Sequence, residues 1–373
     1  MGISGVGITS YNIVKELIKL GHSVYLSVAS LEKSFINLNS LYETFKIANI
    51  KLPLRIFGRN KTTSIHDKKT ARWLRSRKPE LDIVHCWPLC AYHTVNEAKE
   101  QQVKTVLERP NCHTGFAYEV VKNEYEKLGL DQAKDNPHTF DAHHLAREQK
   151  EYDLIDTICC PSEFVAKTFI DKGIPKDKIG LYHYGFDPHS FHIDEKSSNK
   201  ELKIIFAGRL EPRKGLHYAL EAWLGSRAKD NGKFYILGKF VPGYREILQD
   251  KLNHKSIVEI GFSNKIADFF KDCDALILPS IEEGSALVTY EASACGCLLL
   301  VSDSTGAQVI HEKNGLVHKS GDISALTEQL NRLSSDSGFK ESLKQKSLKM
   351  SGQFTWAKAA QKLTQVYLKA LGI

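Results

Sequence analysis

No window of about eighteen apolar residues occurs in this 373-residue chain, so nothing in it reads as a bilayer-spanning helix. The first residues also lack the basic and apolar regions of a secretory leader. None of the eight cysteines forms a C-x-x-C pair, and most sit in or beside apolar strands. That usage reads as buried thiols of a reducing compartment rather than disulfides or a metal site, and it implies a cytoplasmic protein. No acidic cluster is read as calling for a metal, and no internal repeat or low-complexity tract is present. The net charge of +7 is carried by scattered segments such as "KKTARWLRSRK" (68–78) and "KESLKQKSLK" (340–349). With no aromatic–basic interleaving, nucleic acid is not an expected partner. A solvated helix face explains each segment, and attraction to an anionic membrane surface or an anionic substrate is the functional alternative.

What is present is a regular alternation. Short apolar runs, each followed by a longer helical pattern, appear at 22–29, 82–87, 104–109, 156–162 and 178–184. A second series follows at 203–208, 233–238, 256–261, 275–280 and 297–303. Strands alternating with helices predict parallel sheets covered on both faces, and near-continuous apolar strands fit that burial. The polar segment "DEKSSNKEL" (194–202) between the two series reads as a linker. The expected fold class is therefore α/β, with two doubly wound, Rossmann-like domains. The glycine-rich "GISGVGITS" (2–10) resembles the turn that follows a first strand, yet no strand precedes it. A missing first strand in the N-terminal domain is the expectation.

Three constellations carry chemistry. The glycine loop around Gly5 runs into an amphipathic helix, where backbone N–H groups can meet an anion. A nicotinamide cofactor would need an acid at the end of the following strand, and "SVYLSVAS" ends in Ser30 instead. A structural turn and a loop touching substrate stay open. In "GRLEPRKG" (208–215), Gly208 and Arg209 leave a strand at its carboxyl end and Lys214 precedes a helix. Surface charge is one reading and a diphosphate clamp the favoured one. In "SIEEGSALVTYEASACGC" (280–297), Glu283 and Glu291 flank the segment Gly284, Ser285, Ala286 and Leu287. A cap plus a solvated glutamate would explain either acid alone; together, at this spacing, they suit the paired hydroxyls of a sugar and a ribose.

Taken together these motifs, with "EKNGLV" (312–317), resemble the retaining glycosyltransferases of family 4. The resemblance covers nearly the whole chain. It implies the GT-B fold, two Rossmann-like domains facing each other across a cleft. The domains would span 1–197 on the acceptor side and 198–353 for the nucleotide sugar, with a terminal helix in 354–373 crossing back. By that resemblance Arg209 and Lys214 bind the donor diphosphate, Glu283 the transferred sugar, Glu291 the ribose, and 284–287 supply N–H groups. A histidine of the first domain belongs near the donor sugar. His113 in "RPNCHTGF" is the candidate, with Arg109 a lesser one and His85 a rival read as a core residue. Gln308 and Ser285 depart from the family pattern. The implied activity is metal-independent transfer of a hexose, with no cofactor beyond the nucleotide sugar, UDP-linked in the commonest case. The acceptor would be a saccharide or a lipid-linked glycan of polysaccharide biosynthesis, with peripheral attachment to an anionic inner membrane face. An idle sugar-nucleotide-binding protein, or a phosphorylase or epimerase on the same fold, are the alternatives.

Overall fold

The computed structural model describes residues 1, 5–47, 50–51, 58–77, 80–133, 135–193 and 201–373. Tertiary contacts divide the chain into two units. One is Met1–Pro110, Asp141–Tyr184 and Trp356–Ile373; the other is Asn111–Phe140 and Gly185–Thr355. No helix among the described residues is long and apolar enough to cross a membrane. All eight cysteines are thiols, seven of them buried and Cys90 half-buried.

In the first unit β1 (Tyr25–Val28) pairs in parallel with β2 (Ser40–Glu43), and β3 (Lys46–Ile47) forms a short antiparallel ladder with β4 (Ile50–Lys51). A separate parallel sheet runs in the order β5 (Ile83–Cys86), β6 (Lys104–Glu108), β7 (Thr157–Cys160), β8 (Ile179–Leu181). Among the described residues no ladder joins the two pieces. The glycine turn expected at 2–10 is, from Gly5 onward, already the helix Gly5–Lys19, and residues 2–4 lie outside the described set. The four-stranded sheet is held by apolar strands and the helices behind them. Leu107, Ile158, Tyr152, Val165 and Phe169 form one buried cluster.

A polar network also ties this unit together. Glu108, at the end of β6, is fully buried and accepts hydrogen bonds from the hydroxyls of Tyr182 (2.8 Å) and Tyr184 (2.7 Å). His85 Nε2 lies 3.2 Å from the same carboxylate, while His85 Nδ1 pairs with the Tyr367 hydroxyl at 2.7 Å. Tyr367 belongs to the helix Trp356–Leu371, so a buried carboxylate and a histidine link that helix to the sheet.

The second unit is a six-stranded parallel sheet in the order β11-β10-β9-β12-β13-β14. Its strands are β9 (Leu202–Ala207), β10 (Gly232–Leu237), β11 (Ile257–Gly261), β12 (Ala275–Leu278), β13 (Leu298–Ser302) and β14 (Leu316–His318). Strand order reverses between β9 and β12. Ligands of open α/β sheets bind outside the carboxyl ends of the strands at such a point. The four central strands are almost wholly buried because helices cover both faces, in keeping with their mainly apolar sequence. Trp223 anchors this core, fully buried, with its indole N–H donating to Ser256 Oγ at 2.9 Å.

The boundaries differ from those read in the sequence. Residues 111–140 were placed in a first domain of 1–197, yet they pack into the second unit. Glu124 meets His217 Nε2 at 2.6 Å, and Lys127 Nζ donates to the Tyr218 hydroxyl at 2.7 Å. Both pairs fasten the helix Thr114–Lys127 to the helix after β9. The second unit also takes Gly185–Phe191, since Phe186 N donates to the carbonyl of Phe354 at 3.1 Å. Most of the linker, 194–200, lies outside the described residues.

Glu108→Ala is expected to destabilise the first unit by about 2–5 kcal/mol, because two buried tyrosine hydroxyls lose their acceptor. Urea unfolding followed by aromatic fluorescence checks this.

Candidate functional site

The two chain crossings at the β9–β12 switch point build the site. After β9 the chain turns at Gly208 and passes through a short 3-10 turn, Pro212–Lys214. It then enters the helix Leu216–Gly225 through Gly215, whose φ is +75°. A Cβ on Gly215 would fall on the carbonyl of Pro279, so only glycine lets this turn approach the one after β12. The turns are stitched by Ile281 N donating to the carbonyl of Arg213 at 3.0 Å. After β12, residues 279–286 lead into the helix Leu287–Ala294, whose first turn has no capping side chain.

The approach brings three cations onto three carboxylates. Arg213, with its side chain 11% exposed, donates through Nε and Nη2 to Glu211 Oε1, at 3.1 and 2.9 Å. Its Nη1 donates to the carbonyl of Glu282 at 2.8 Å, and to Oε2 of both Glu282 and Glu283 at 3.2 Å. Lys214 Nζ makes an ion pair with Glu283 Oε2. Arg209 reaches Glu211 at 3.5 Å from a largely exposed position. Burial works to raise the Glu283 pKa, but Arg213 and then Lys214 outweigh it and hold the carboxyl below its ordinary value.

Glu291 is the contrast. It sits one turn into the helix after the Gly284–Leu287 segment, and among the described residues its carboxylate has no hydrogen-bond or ion-pair partner. Burial alone pushes its pKa up to about 7. A desolvated acid with nothing bound to it is costly to hold in a helix and suits a ligand that donates hydroxyl hydrogens. Nearby, Ser280 Oγ is buried without a partner among the described residues, and Ser285 Oγ pairs with the Tyr290 hydroxyl at 2.6 Å.

Of the residues singled out in the sequence, Arg209, Lys214, Glu283 and the 284–287 segment meet here. His113 comes close through its neighbour, since the Cys112 thiol donates to Glu282 Oε1 at 3.0 Å. His113 itself caps the helix Thr114–Lys127, its Nδ1 accepting from Gly115 N at 3.1 Å. Arg109 is not part of the cluster. It is buried in the first unit, bound to Glu148 at 2.7 Å and set over the rings of Tyr152 and Phe169. His85 also belongs to the first unit's network, and Gly5 is an exposed helix start there. Gln308 offers its carbonyl to Asn314 at 3.0 Å.

Sequence reasoning missed Arg213, Glu211, Glu282, Cys112 and His138, whose Nδ1 lies 4.0 Å from Glu282 Oε2. The third cation inside "GRLEPRKG" and the doubled acid in "IEEG" were available signals; the Cys112 and His138 contacts had none. The D-x-D triplet at Asp272–Asp274 was passed over as a metal site. Its acids bind lysines, Asp272 with Lys203 and Asp274 with Lys344, each at 2.8 Å.

Comparison with known proteins decides the family. The Glycosyltransferase Family 4 profile matches residues 3–190, and the Glycosyl transferases group 1 profile matches 190–350. The chain belongs to the family 4, group 1 glycosyltransferases. An uncharacterized glycosyltransferase of Methanocaldococcus jannaschii, MJ1607, is 28% identical to this family member over 219 residues, which is 53% of this chain and 55% of that protein. The chain thus spans a little over half the length of this curated relative. Among solved structures, sucrose-phosphate synthase from Thermosynechococcus elongatus superposes with a TM-score of 0.71 at 16% identity, covering 99% of this chain and 94% of that one. Anabaena Alr3699/HepE in complex with UDP gives 0.64 at 16% identity, with 81% of each chain covered. These likenesses show the GT-B fold.

Glu291→Gln is expected to stabilise the second unit. The folded pKa lies above the unfolded value, so ionisation costs stability as pH rises from about 4.5 to 7. The gain is on the order of 1–3 kcal/mol at pH 8 and shrinks below about 1 kcal/mol at pH 5. Urea denaturation at the two pH values reads it.

Proposed function

We propose that this glycosyltransferase moves a hexose from a nucleoside diphosphate sugar, UDP-linked, to an acceptor hydroxyl with retention of anomeric configuration and without a metal. The observation that carries the reading is a cation cluster after β9 set beside a half-buried glutamate after β12, Glu291, that has no partner among the described residues. In this reading Arg209 and Lys214 take the diphosphate, and the uncapped N-terminus of the helix Leu287–Ala294 adds N–H dipoles from Gly284 to Leu287. Glu283 accepts from hydroxyls of the transferred sugar, and Glu291 from the ribose. His113 lies beside that sugar, carried there by the same loop that sets Cys112 on Glu282.

The chemistry asks little covalent work of the protein. The bond from the anomeric carbon to the β-phosphate oxygen breaks and the bond to the acceptor oxygen forms on the same face. The acceptor proton passes to the departing phosphate oxygen. Fixed cations and N–H groups stabilise the charge gathering on that diphosphate, so no protein nucleophile is assigned. The acceptor is proposed to be a saccharide or lipid-linked glycan met at an anionic membrane face. Support comes from the helix Arg59–Arg77, with seven basic residues and one acid, Asp67, which is buried as a cap for His93 and Thr94. Surface cavities of about 540 and 360 Å³ flank this helix, lined in part by Lys69, Arg72 and Arg77 and by Lys68, Arg147 and Lys150.

Thermal-shift titrations with UDP, GDP and ADP, the sugar conjugates of these three, and NAD⁺ test the reading. One nucleoside diphosphate is expected to bind, with affinity falling about tenfold per pH unit below pH 7 as Glu291 takes up a proton. Glu291→Gln is expected to bind weakly and to lose that pH dependence. A response to NAD⁺ alone would sink the proposal. Binding without any transfer or hydrolysis would mark an idle sugar-nucleotide binder. With a glycosyl acceptor found, retention is read from the anomeric NMR signal and metal independence from activity in EDTA.

A further inference from the structure

Lys214 and Arg213 share one oxygen of Glu283, yet they differ in what else holds them. Lys214 is a point charge on a flexible stem, and Glu283 is its one ion-pair partner among the described residues. Arg213 is fixed on every side by Glu211, the Glu282 carbonyl and the Glu282 carboxylate. Glu282 is fully buried in turn, with its second oxygen on the Cys112 thiol at 3.0 Å. A ligand phosphate can therefore draw Lys214 away but not Arg213.

We propose that Arg213 is the positioning residue of this site: it stays on Glu283 as counter-ion while Lys214 changes partner from that carboxylate to the donor diphosphate. The proposal rests on the transferase reading above. It follows from counting the charges that face Glu283. These are the cations Arg213 and Lys214, the carboxylates of Glu282 and Glu211 reached through the same guanidinium, and the ring of His138. Burial, then the charge of Arg213, hold His138 below its ordinary pKa, so near neutrality it brings no second cation. Once Lys214 has left, Glu283 is a buried carboxylate near two others, and Arg213 is the one cation touching it among the described residues. Without Arg213 it would take up a proton and cease to accept two hydroxyl hydrogens from the sugar. Glu282 holds the guanidinium from behind, and Cys112 joins that anchor to the loop carrying His113.

The test compares the full chain with Arg213→Gln, Arg213→Lys and the double variant Arg213→Gln/Glu282→Gln. The double variant removes one charge of each sign and leaves no extra buried acid. The probes are UDP with UDP-glucose, GDP with GDP-mannose, and ADP with ADP-glucose, using the pair that binds wild type best. The readout is the ratio of nucleotide-sugar to nucleotide affinity from pH 5.5 to 8.5, which isolates the sugar contacts. In wild type the ratio is expected to stay flat. In Arg213→Gln and in the double variant it is expected to fall about tenfold for each pH unit below a raised midpoint. Arg213→Lys is expected to restore the flat profile at a lower ratio. If Arg213→Gln does not fold, the double variant decides. A flat wild-type ratio in the charge-removed variants overturns the role of Arg213 and leaves the transferase reading standing. Failure of every probe to bind wild type overturns both.

Discussion

One guanidinium shared by three carboxylates is the constraint around which the second unit is arranged. Arg213 takes Glu211 from its own turn and Glu282 and Glu283 from the turn after β12. Burying these charges is costly, and losing one partner of such a cluster costs about 3–5 kcal/mol because the others are left uncompensated. The cluster therefore fixes the separation of two turns that β9 and β12 alone would leave free to vary. Gly215 is what makes the separation short enough, since any side chain there would strike Pro279.

The same geometry divides the acids by environment. Glu283 is ionised by its neighbours, while Glu291, eight residues on, is half-buried and has no charged or hydrogen-bonding neighbour among the described residues. A site that must release and rebind a charged ligand benefits from both. The first acid stays ready as an acceptor at any ordinary pH; the second is stabilised in its charged form only when hydroxyls reach it. The helix Thr114–Lys127 completes the arrangement from earlier in the chain. Glu124 and Lys127 hold its far end on His217 and Tyr218, and Cys112 holds its near end on Glu282.

Much of this architecture was legible beforehand. The strands at 83–86, 104–108, 157–160, 202–207, 275–278 and 298–302 are built around apolar stretches and fell where they were read, because burial on both faces favours such sequences. Strands β2 and β14 were missed: they run to four and three residues, too short to carry a comparable signal. Residues 111–140 group with the second unit, and nothing in their composition says which sheet they cover. Their attachment includes single pairs far apart in the chain, Glu124 with His217 and Cys112 with Glu282, separated by 93 and 170 positions.

The sequence by itself determined the order of elements, the parallel sheets, and the kinds of side chain available after β9 and β12. Periodicity and local turn chemistry are short-range properties and can be read along the chain. Only the tertiary structure decided which cation meets which acid. It gave Glu283 two counter-ions and Glu291 none, sent Arg109 into the first unit's core, and set Arg213 at the centre of the cluster. Charge pairing and desolvation depend on distances across the fold, and no spacing along the chain encodes them.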